Sequence, residues 1–317
     1  MTHYGCSLLS CGVIDERHFE MEDYQGAIAR WCPGCGDHSI LTAVQRLLEE
    51  EQLKPEETVF VSGIGCSSRF PHYVKTYGFH GLHGRALPVA TGIKLERPEL
   101  RVFVTMGDGD CCSIGAGHWI HATRYNVDMV AMLLDNNMYG LTKGQTSPTT
   151  PEQFPSNTQP HGSYLRPLNP MSATLGVTNA SFVAQTAEWI PQHLFETMRA
   201  AYHHKGFSFI RILQRCPVYT SSIYEAAVRS PDMIEMLIHD DGIHIPDLEE
   251  IYKNQVIHDP SNLGEARRLA EPDGKFRIGI LYKNESLPRY LEIRRLPART
   301  AEERVKLLNE ELDRYAV

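Results

Sequence analysis

A chain of 317 residues, 42% hydrophobic and 22% charged, is long enough to bury a sizeable core in one large domain, or in one domain with an appendage. Its net charge of −8 leaves nothing to offset phosphate repulsion, which excludes general binding of nucleic acid or of anionic membranes. No apolar run reaches the roughly eighteen residues of a membrane span, and residues 1–15 lack the basic and apolar regions of a secretory signal, so a cytoplasmic protein is expected.

Residues 1–20 read as a polar N-terminal arm whose Cys6 and Cys11 are free thiols. Eight cysteines in such a chain favour metal ligation or catalysis over disulfides. Trp31-Cys32-Pro33-Gly34-Cys35-Gly36 precedes a segment with Ile40, Leu41, Val44, Leu47 and Leu48 on one face, an amphipathic helix. A thioredoxin-like redox pair needs a continuous apolar strand ahead of its cysteines, and residues 24–30 do not supply one. Zinc needs four soft or nitrogen ligands, and an iron–sulfur cluster needs four thiolates. Cys66 follows the apolar run Val59, Phe60, Val61, and Cys216 follows Phe209-Ile210-Arg211-Ile212-Leu213. Both stand at the carboxyl end of a strand-like run, where they could complete either set. Spacing alone leaves zinc and iron–sulfur open.

Gly63-Ile64-Gly65 lacks the third glycine of a nucleotide loop, where Ser68 stands instead. Arg69 offers a cation for an anionic substrate at the same crevice. A glycine-rich loop with His83 and Arg85 then leads into a short helix over residues 86–94. His83 by itself reads as a hydrogen-bonded loop residue.

The central stretch is 101–145. The apolar run Val102, Phe103, Val104, rich in β-branched valine, ends at Gly107-Asp108-Gly109-Asp110, a helix-like segment follows over 111–125, and a second apolar run over 129–134 ends at Asp135-Asn136-Asn137. This is a βαβ unit, so both polar clusters fall at one edge of a parallel sheet, where such folds bind ligands. Asp108 offers a carboxylate, Asn136 an amide oxygen and Met138 a backbone carbonyl, the hard ligands Mg²⁺ takes while sharing its other positions with phosphate and water. Gly107 and Gly109 admit close backbone approach, and the following helix presents free N–H groups to an anion. The stretch reads as a Mg²⁺–diphosphate site. An EF-hand loop beginning at Asp108 would need an acid where Trp119 stands, and a dinucleotide fingerprint fails at its third glycine. Cys111 and Cys112 read as small core fillers, His118 and His121 as packing or hydrogen-bonding residues on one helix face, and Asp110 as a carboxylate behind the ligands.

Residues 147–170, rich in Pro, Thr, Ser and Asn, read as a long ordered loop over a site or subunit contact. Residues 181–204 read as helix split at Pro191. The last stretch, 230–317, mixes a strand-like run at 276–282 with a charged helix near 302–315, an extension on the core or on a partner.

The order GDGDxxxIGxGHxxHxxRxN…DNxxYGLTKGQ resembles the β subunit of the 2-oxoacid:ferredoxin oxidoreductases, over roughly residues 25–225. The resemblance implies an α/β fold with a parallel sheet and flanking helices that binds thiamine diphosphate over 21–229, with 230–317 as the extension. It implies Mg²⁺ on Asp108, Asn136 and the Met138 carbonyl, and a 4Fe–4S cluster on Cys32, Cys35, Cys66 and Cys216. Gly65, Ser67, His83, Gly107, Asp108, Gly109, Asp110, Asn136, Tyr139, Gly140, Leu141 and Thr142 would surround the cofactor. Arg69, Leu141 and Lys143 would face the substrate, with Lys143 holding a distal carboxylate. The implied reaction takes 2-oxoglutarate and coenzyme A to succinyl-CoA and CO₂ with reduction of ferredoxin, reversibly. A separate α subunit, in an α₂β₂-like assembly, would bring the glutamate that activates the cofactor. The alternatives are a non-oxidative thiamine diphosphate-dependent decarboxylase or synthase subunit with a Cys₄ zinc site, and a regulatory subunit with a degenerate diphosphate loop.

Overall fold

The computed structural model describes residues 17–240, 242–294 and 299–315; Cys6 and Cys11 lie outside them. In chain order the strands are β1 (Thr58–Ser62), β2 (Tyr77–His80), β3 (Arg101–Gly107), β4 (Met129–Asp135), the short pair β5 (Met138–Tyr139) and β6 (Gln145–Thr146), β7 (Phe182–Ala187), β8 (Phe207–Leu213), β9 (Ile234–Ile238), β10 (Gln255–Ile257) and β11 (Phe276–Lys283). Nine of them form one sheet in the order β10-β9-β11-β7-β8-β4-β3-β1-β2. Every neighbouring pair is parallel except β7 and β11.

The continuous apolar runs have a plain cause. Every residue of β1, β4 and β7 is buried, as expected of parallel strands covered on both faces. Alternate side chains feed two cores. Phe60, Phe103, Met132 and Ile210 pack under the helices Asp37–Glu50 and Pro191–His203. Val61, Val104, Leu133 and Phe209 pack under Ala86–Glu96 and Ala116–Tyr125. Because β1, β3, β4 and β8 run in one direction, the loops carrying Cys66, Asp108, Asn136 and Cys216 all leave the same edge of the sheet.

Residues 181–204 correct the sequence reading. The first part is not helix but β7, held between β8 and β11, and Pro191 opens the following helix rather than splitting one. Phe182-Val183-Ala184-Gln185-Thr186-Ala187 carries no period because both of its faces are buried. Proline suits the first helical position, where its missing N–H costs nothing. Beyond residue 230 the chain continues the sheet: β11 joins the β7 edge antiparallel, and β9 and β10 follow it. The helix Ala301–Asp313 lies outside with Val305, Leu308 and Leu312 exposed.

Candidate active site

A cavity opens at the carboxyl ends of β1, β3 and β4. Ile64, Gly65, Cys66 and Ser67 line it from the first loop, Gly107, Asp108, Gly109 and Asp110 from the second, and Asn136, Met138, Tyr139, Gly140, Leu141 and Thr142 from the third. His83 closes a further side.

Asp108 is buried at the end of β3. The Ser147 hydroxyl and the Thr149 hydroxyl, the latter at 2.8 Å, both donate to its Oδ2. Burial, and then the charge of Asp135, pushes its carboxyl up to about 7. Burial favours its neutral form, and a positive ion beside it would stabilise the charged one. Asn136 is fixed by its own turn: its Oδ1 accepts the Met138 N–H at 3.0 Å, with a second lone pair still available. Asn137, at φ 61°, turns the chain there, and Asp135 Oδ1 accepts its backbone N–H and its side-chain amide at 3.2 Å. The donor set of one carboxylate, one amide oxygen and one backbone carbonyl fits Mg²⁺ with room for diphosphate.

Asp110 pins three loops. Its Oδ1 accepts from Gly84 N and His83 Nδ1 at 2.7 Å and from Ile64 N at 3.2 Å, while Oδ2 is buried without a hydrogen-bond partner among the described residues. Burial raises its carboxyl above the usual range. A Cβ on Gly63 would overlap that carboxyl, so the first loop approaches only as glycine. The Tyr139 hydroxyl donates to the Gly109 carbonyl at 3.1 Å, and a Cβ on Gly109 would overlap the Tyr139 ring. The Ser67 hydroxyl is buried beside the cavity without a hydrogen-bond partner among the described residues.

The four cysteines sit on three loops that are tied together. The Trp31 indole donates to the Cys66 carbonyl at 2.7 Å, Gly36 N to the Arg215 carbonyl at 3.2 Å, and the Gln214 amide to Cys35 Sγ at 3.3 Å. Cys32, Cys35, Cys66 and Cys216 are all free thiols. Burial pushes the Cys66 thiol up to about 12, reinforced by Asp37, Cys216 and Cys32, and burial drives Cys35 higher still. Thiols this reluctant to ionise alone become thiolates on metal. Free, mutually interacting thiols on three converging loops fit a thiolate-held cluster. Among the described residues no group of three or more His, Cys, Asp or Glu is placed to hold a single metal ion.

Two expected substrate residues stand apart from the cavity wall. Arg69 donates to the Arg30 carbonyl at 3.2 Å and lies over the Tyr73 ring, on the side of the thiol loops. Lys143 is exposed, at φ 83°, just past Thr142. Cys111 and Cys112 are buried in the core, His118 is half-buried and His121 exposed. Sequence reasoning missed Ser147, Thr149 and the buried pair Asp135–Arg211, at 2.6 Å. The only signal for the hydroxyls was the run Thr146-Ser147-Pro148-Thr149-Thr150 directly after the site.

A mostly parallel α/β sheet whose edge cavity offers donors that fit a metal and a diphosphate has the features of a thiamine diphosphate-binding domain. Residues 63–212 match the family model described as thiamine pyrophosphate enzyme, C-terminal TPP binding domain. The chain is 39% identical over 273 residues to the 2-oxoacid:ferredoxin oxidoreductase subunit beta of a Sulfolobus species, across 83% of this chain and 84% of the relative. It is 48% identical over 197 residues to the 2-oxoglutarate oxidoreductase subunit KorB of Mycobacterium tuberculosis, across 62% of this chain and 52%, about half, of that relative. A solved 2-oxoglutarate:ferredoxin oxidoreductase from Magnetococcus marinus, with 2-oxoglutarate, coenzyme A and succinyl-CoA bound, superposes with a TM-score of 0.78 at 36% identity, covering 93% of this chain and 97% of that one. The chain belongs to the β subunits of the 2-oxoacid:ferredoxin oxidoreductases.

Proposed function

We propose that this chain is the cofactor-binding subunit of a coenzyme A-dependent 2-oxoglutarate:ferredoxin oxidoreductase, holding thiamine diphosphate, Mg²⁺ and a 4Fe–4S cluster and working with an α subunit in an α₂β₂-like assembly in the cytoplasm. The balanced reaction is 2-oxoglutarate, coenzyme A and two oxidised ferredoxins giving succinyl-CoA, CO₂, two reduced ferredoxins and a proton, in either direction. Thiamine diphosphate, when bound, supplies the electron sink for loss of CO₂, and the cluster supplies a one-electron outlet. The observation that carries the reading is the double position of Cys66: it lines the cavity with Asp108 and Asn136, and it belongs to the thiol loops.

The chain's own residues would divide the work. Asp108, Asn136 and the Met138 carbonyl would hold Mg²⁺ and, through it, the diphosphate. Asp110 fixes the loops of Ile64 and His83 around the cavity. Gly65, Ser67, Tyr139, Gly140, Leu141 and Thr142 form its wall. Cys32, Cys35, Cys66 and Cys216 would hold the cluster. Lys143 would meet the distal carboxylate of 2-oxoglutarate, and Arg69 would serve its other carboxylate only by leaving the Arg30 carbonyl it now contacts. Relatives named as a 2-oxoacid:ferredoxin oxidoreductase and a 2-oxoglutarate oxidoreductase favour this reading over a non-oxidative decarboxylase with a zinc site. No helix among the described residues is long and apolar enough to cross a membrane.

The test is reduction of ferredoxin by 2-oxoglutarate and coenzyme A, measured for the chain alone and for the chain with its α subunit. Turnover by the pair and none by the chain alone is expected. Turnover by the chain alone at the rate of the pair would contradict the shared site.

A further inference from the structure

We propose that Thr149 is a positioning residue for the divalent cation, its hydroxyl locking the loops after β3 and β4 together so that Asp108 and Asn136 face one ion. The inference rests on the reading of the cavity as a Mg²⁺–diphosphate site. Thr149 is 2% exposed, and its Oγ1 lies 2.8 Å from Asp108 Oδ2 and 2.7 Å from Asp135 Oδ1. It therefore bridges the residue that follows β3 to the residue that ends β4.

The two bridged carboxylates are not equivalent. Asp135 is balanced by the Arg211 guanidinium, at 2.6 and 2.7 Å, and by two N–H groups of Asn137. Asp108 has hydroxyl partners, and no Lys, Arg or His pairs with it among the described residues. Of the two, Asp108 is the one that a cation must complete, and a hydroxyl carries one proton to share between them. By engaging Oδ2 and tying it toward Asp135, Thr149 fixes one oxygen of a carboxylate that lines the cavity. The same segment grips the other ligand-bearing turn. The Asn137 amide donates to the Thr149 carbonyl at 2.9 Å, and the Thr150 hydroxyl donates to the Asn137 carbonyl at 2.6 Å. The hydroxyl-rich run after β6 thus sets the separation of Asp108 from Asn136, and with it the bite offered to the metal. Partners of this kind, one shell behind the ligands, typically change metal affinity by about ten- to a hundredfold when removed.

The experiment is a Mg²⁺ titration at fixed thiamine diphosphate, followed by binding-induced quenching of protein fluorescence. It uses the full chain in its assembled enzyme, stripped of metal and cofactor by chelation. Thr149→Val keeps the shape and removes the hydroxyl, whereas Thr149→Ser keeps the hydroxyl. The half-saturating Mg²⁺ should rise about tenfold or more in Thr149→Val and stay within about threefold of the parent in Thr149→Ser, with apo melting temperatures alike. Ser147→Ala, which removes the other donor to the same oxygen, carries the same expectation and serves if Thr149→Val does not fold. An unchanged Mg²⁺ requirement in a folded Thr149→Val, or in Ser147→Ala where it stands in, would overturn the inference while leaving the site reading intact. A parent protein that takes up no thiamine diphosphate with Mg²⁺ would overturn both.

Discussion

A Cβ placed on Gly140 would lie 3.6 Å from the Cys66 thiol and 3.8 Å from the Asn136 amide nitrogen. One glycine therefore separates the loop that would hold the metal and diphosphate from the cysteine that would anchor the cluster. Gly140 and Cys66 both line the cavity, so a substrate there would lie beside the thiol loops.

Glycine substitutions should separate tolerance from collapse at this boundary. Gly140→Ala meets only ordinary contacts and should retain cofactor binding, whereas Gly109→Ala drives a methyl into the Tyr139 ring and breaks its hydroxyl contact to the Gly109 carbonyl. Displacing that loop by about an ångström should cost about a hundredfold in turnover. Steady-state rates of the two variants, beside their thiamine diphosphate affinities, check this.

Lys143 carries the substrate prediction. Lys143 is exposed and directly follows Thr142, the last residue of the cavity wall in chain order. Lys143→Ala should lower kcat/KM for 2-oxoglutarate about ten- to a hundredfold, the range for a lost charged hydrogen bond, and spare 2-oxobutyrate. Equal losses on both substrates would remove its role.

The Asp135–Arg211 pair should behave as a buried ion pair. Asp135 is fully buried and Arg211 is largely but not fully covered, with 18% of its side chain exposed. Arg211→Met strands the carboxylate and should destabilise the chain by about 3–5 kcal/mol, while Arg211→Met with Asp135→Asn should recover much of that loss. Denaturant midpoints of the single and double variants measure the difference.

His193 gives a pH signature. Burial alone pushes its imidazole down to about 3, with Thr186 Oγ1 2.8 Å from its Nδ1. A histidine depressed in the fold binds its proton only on unfolding, so its contribution is complete above about pH 6.5 and is lost as pH falls toward 3. The buried carboxyls of Asp37 and Asp108, pushed up to about 7, pull in the opposite sense, so the parent slope alone is uninformative. Compared with His193→Gln, the parent should lose about 1.4 kcal/mol of its advantage between pH 7.5 and pH 5.5. An equal difference at both pH values would exclude a neutral buried His193.

How much of this was legible in the sequence follows from which forces are local. The runs ending at Cys66, Asp108, Asn136 and Cys216 declare themselves as strands because parallel strands are apolar throughout, and codirectional strands bring their ends to one edge whatever the loops do. β7 was hidden because Gln185 and Thr186 dilute its apolar run and only pairing with β8 and β11 makes it a strand. The addition of β9, β10 and β11 to the sheet rests on equally distant pairings. At the site, Asp108 and Asn136 could be proposed from type and spacing, whereas spacing left the cysteines open between zinc and iron–sulfur and only the family resemblance chose between them. Ser147 and Thr149 could not, because a hydroxyl becomes a clamp only through the carboxylates the fold places beside it. Arg69 was legible as a cation at the right loop, but its direction was set by Tyr73 and the Arg30 carbonyl.

The central claim is that the thiol loops hold an electron outlet beside the thiamine site. The measurement that tests it most directly is the visible spectrum, with iron and sulfide content, of the protein purified without oxygen. A brown protein with a dithionite-bleachable band and about four irons per chain is the predicted result. A colourless protein carrying zinc on those cysteines would contradict the account and leave a non-oxidative enzyme in its place.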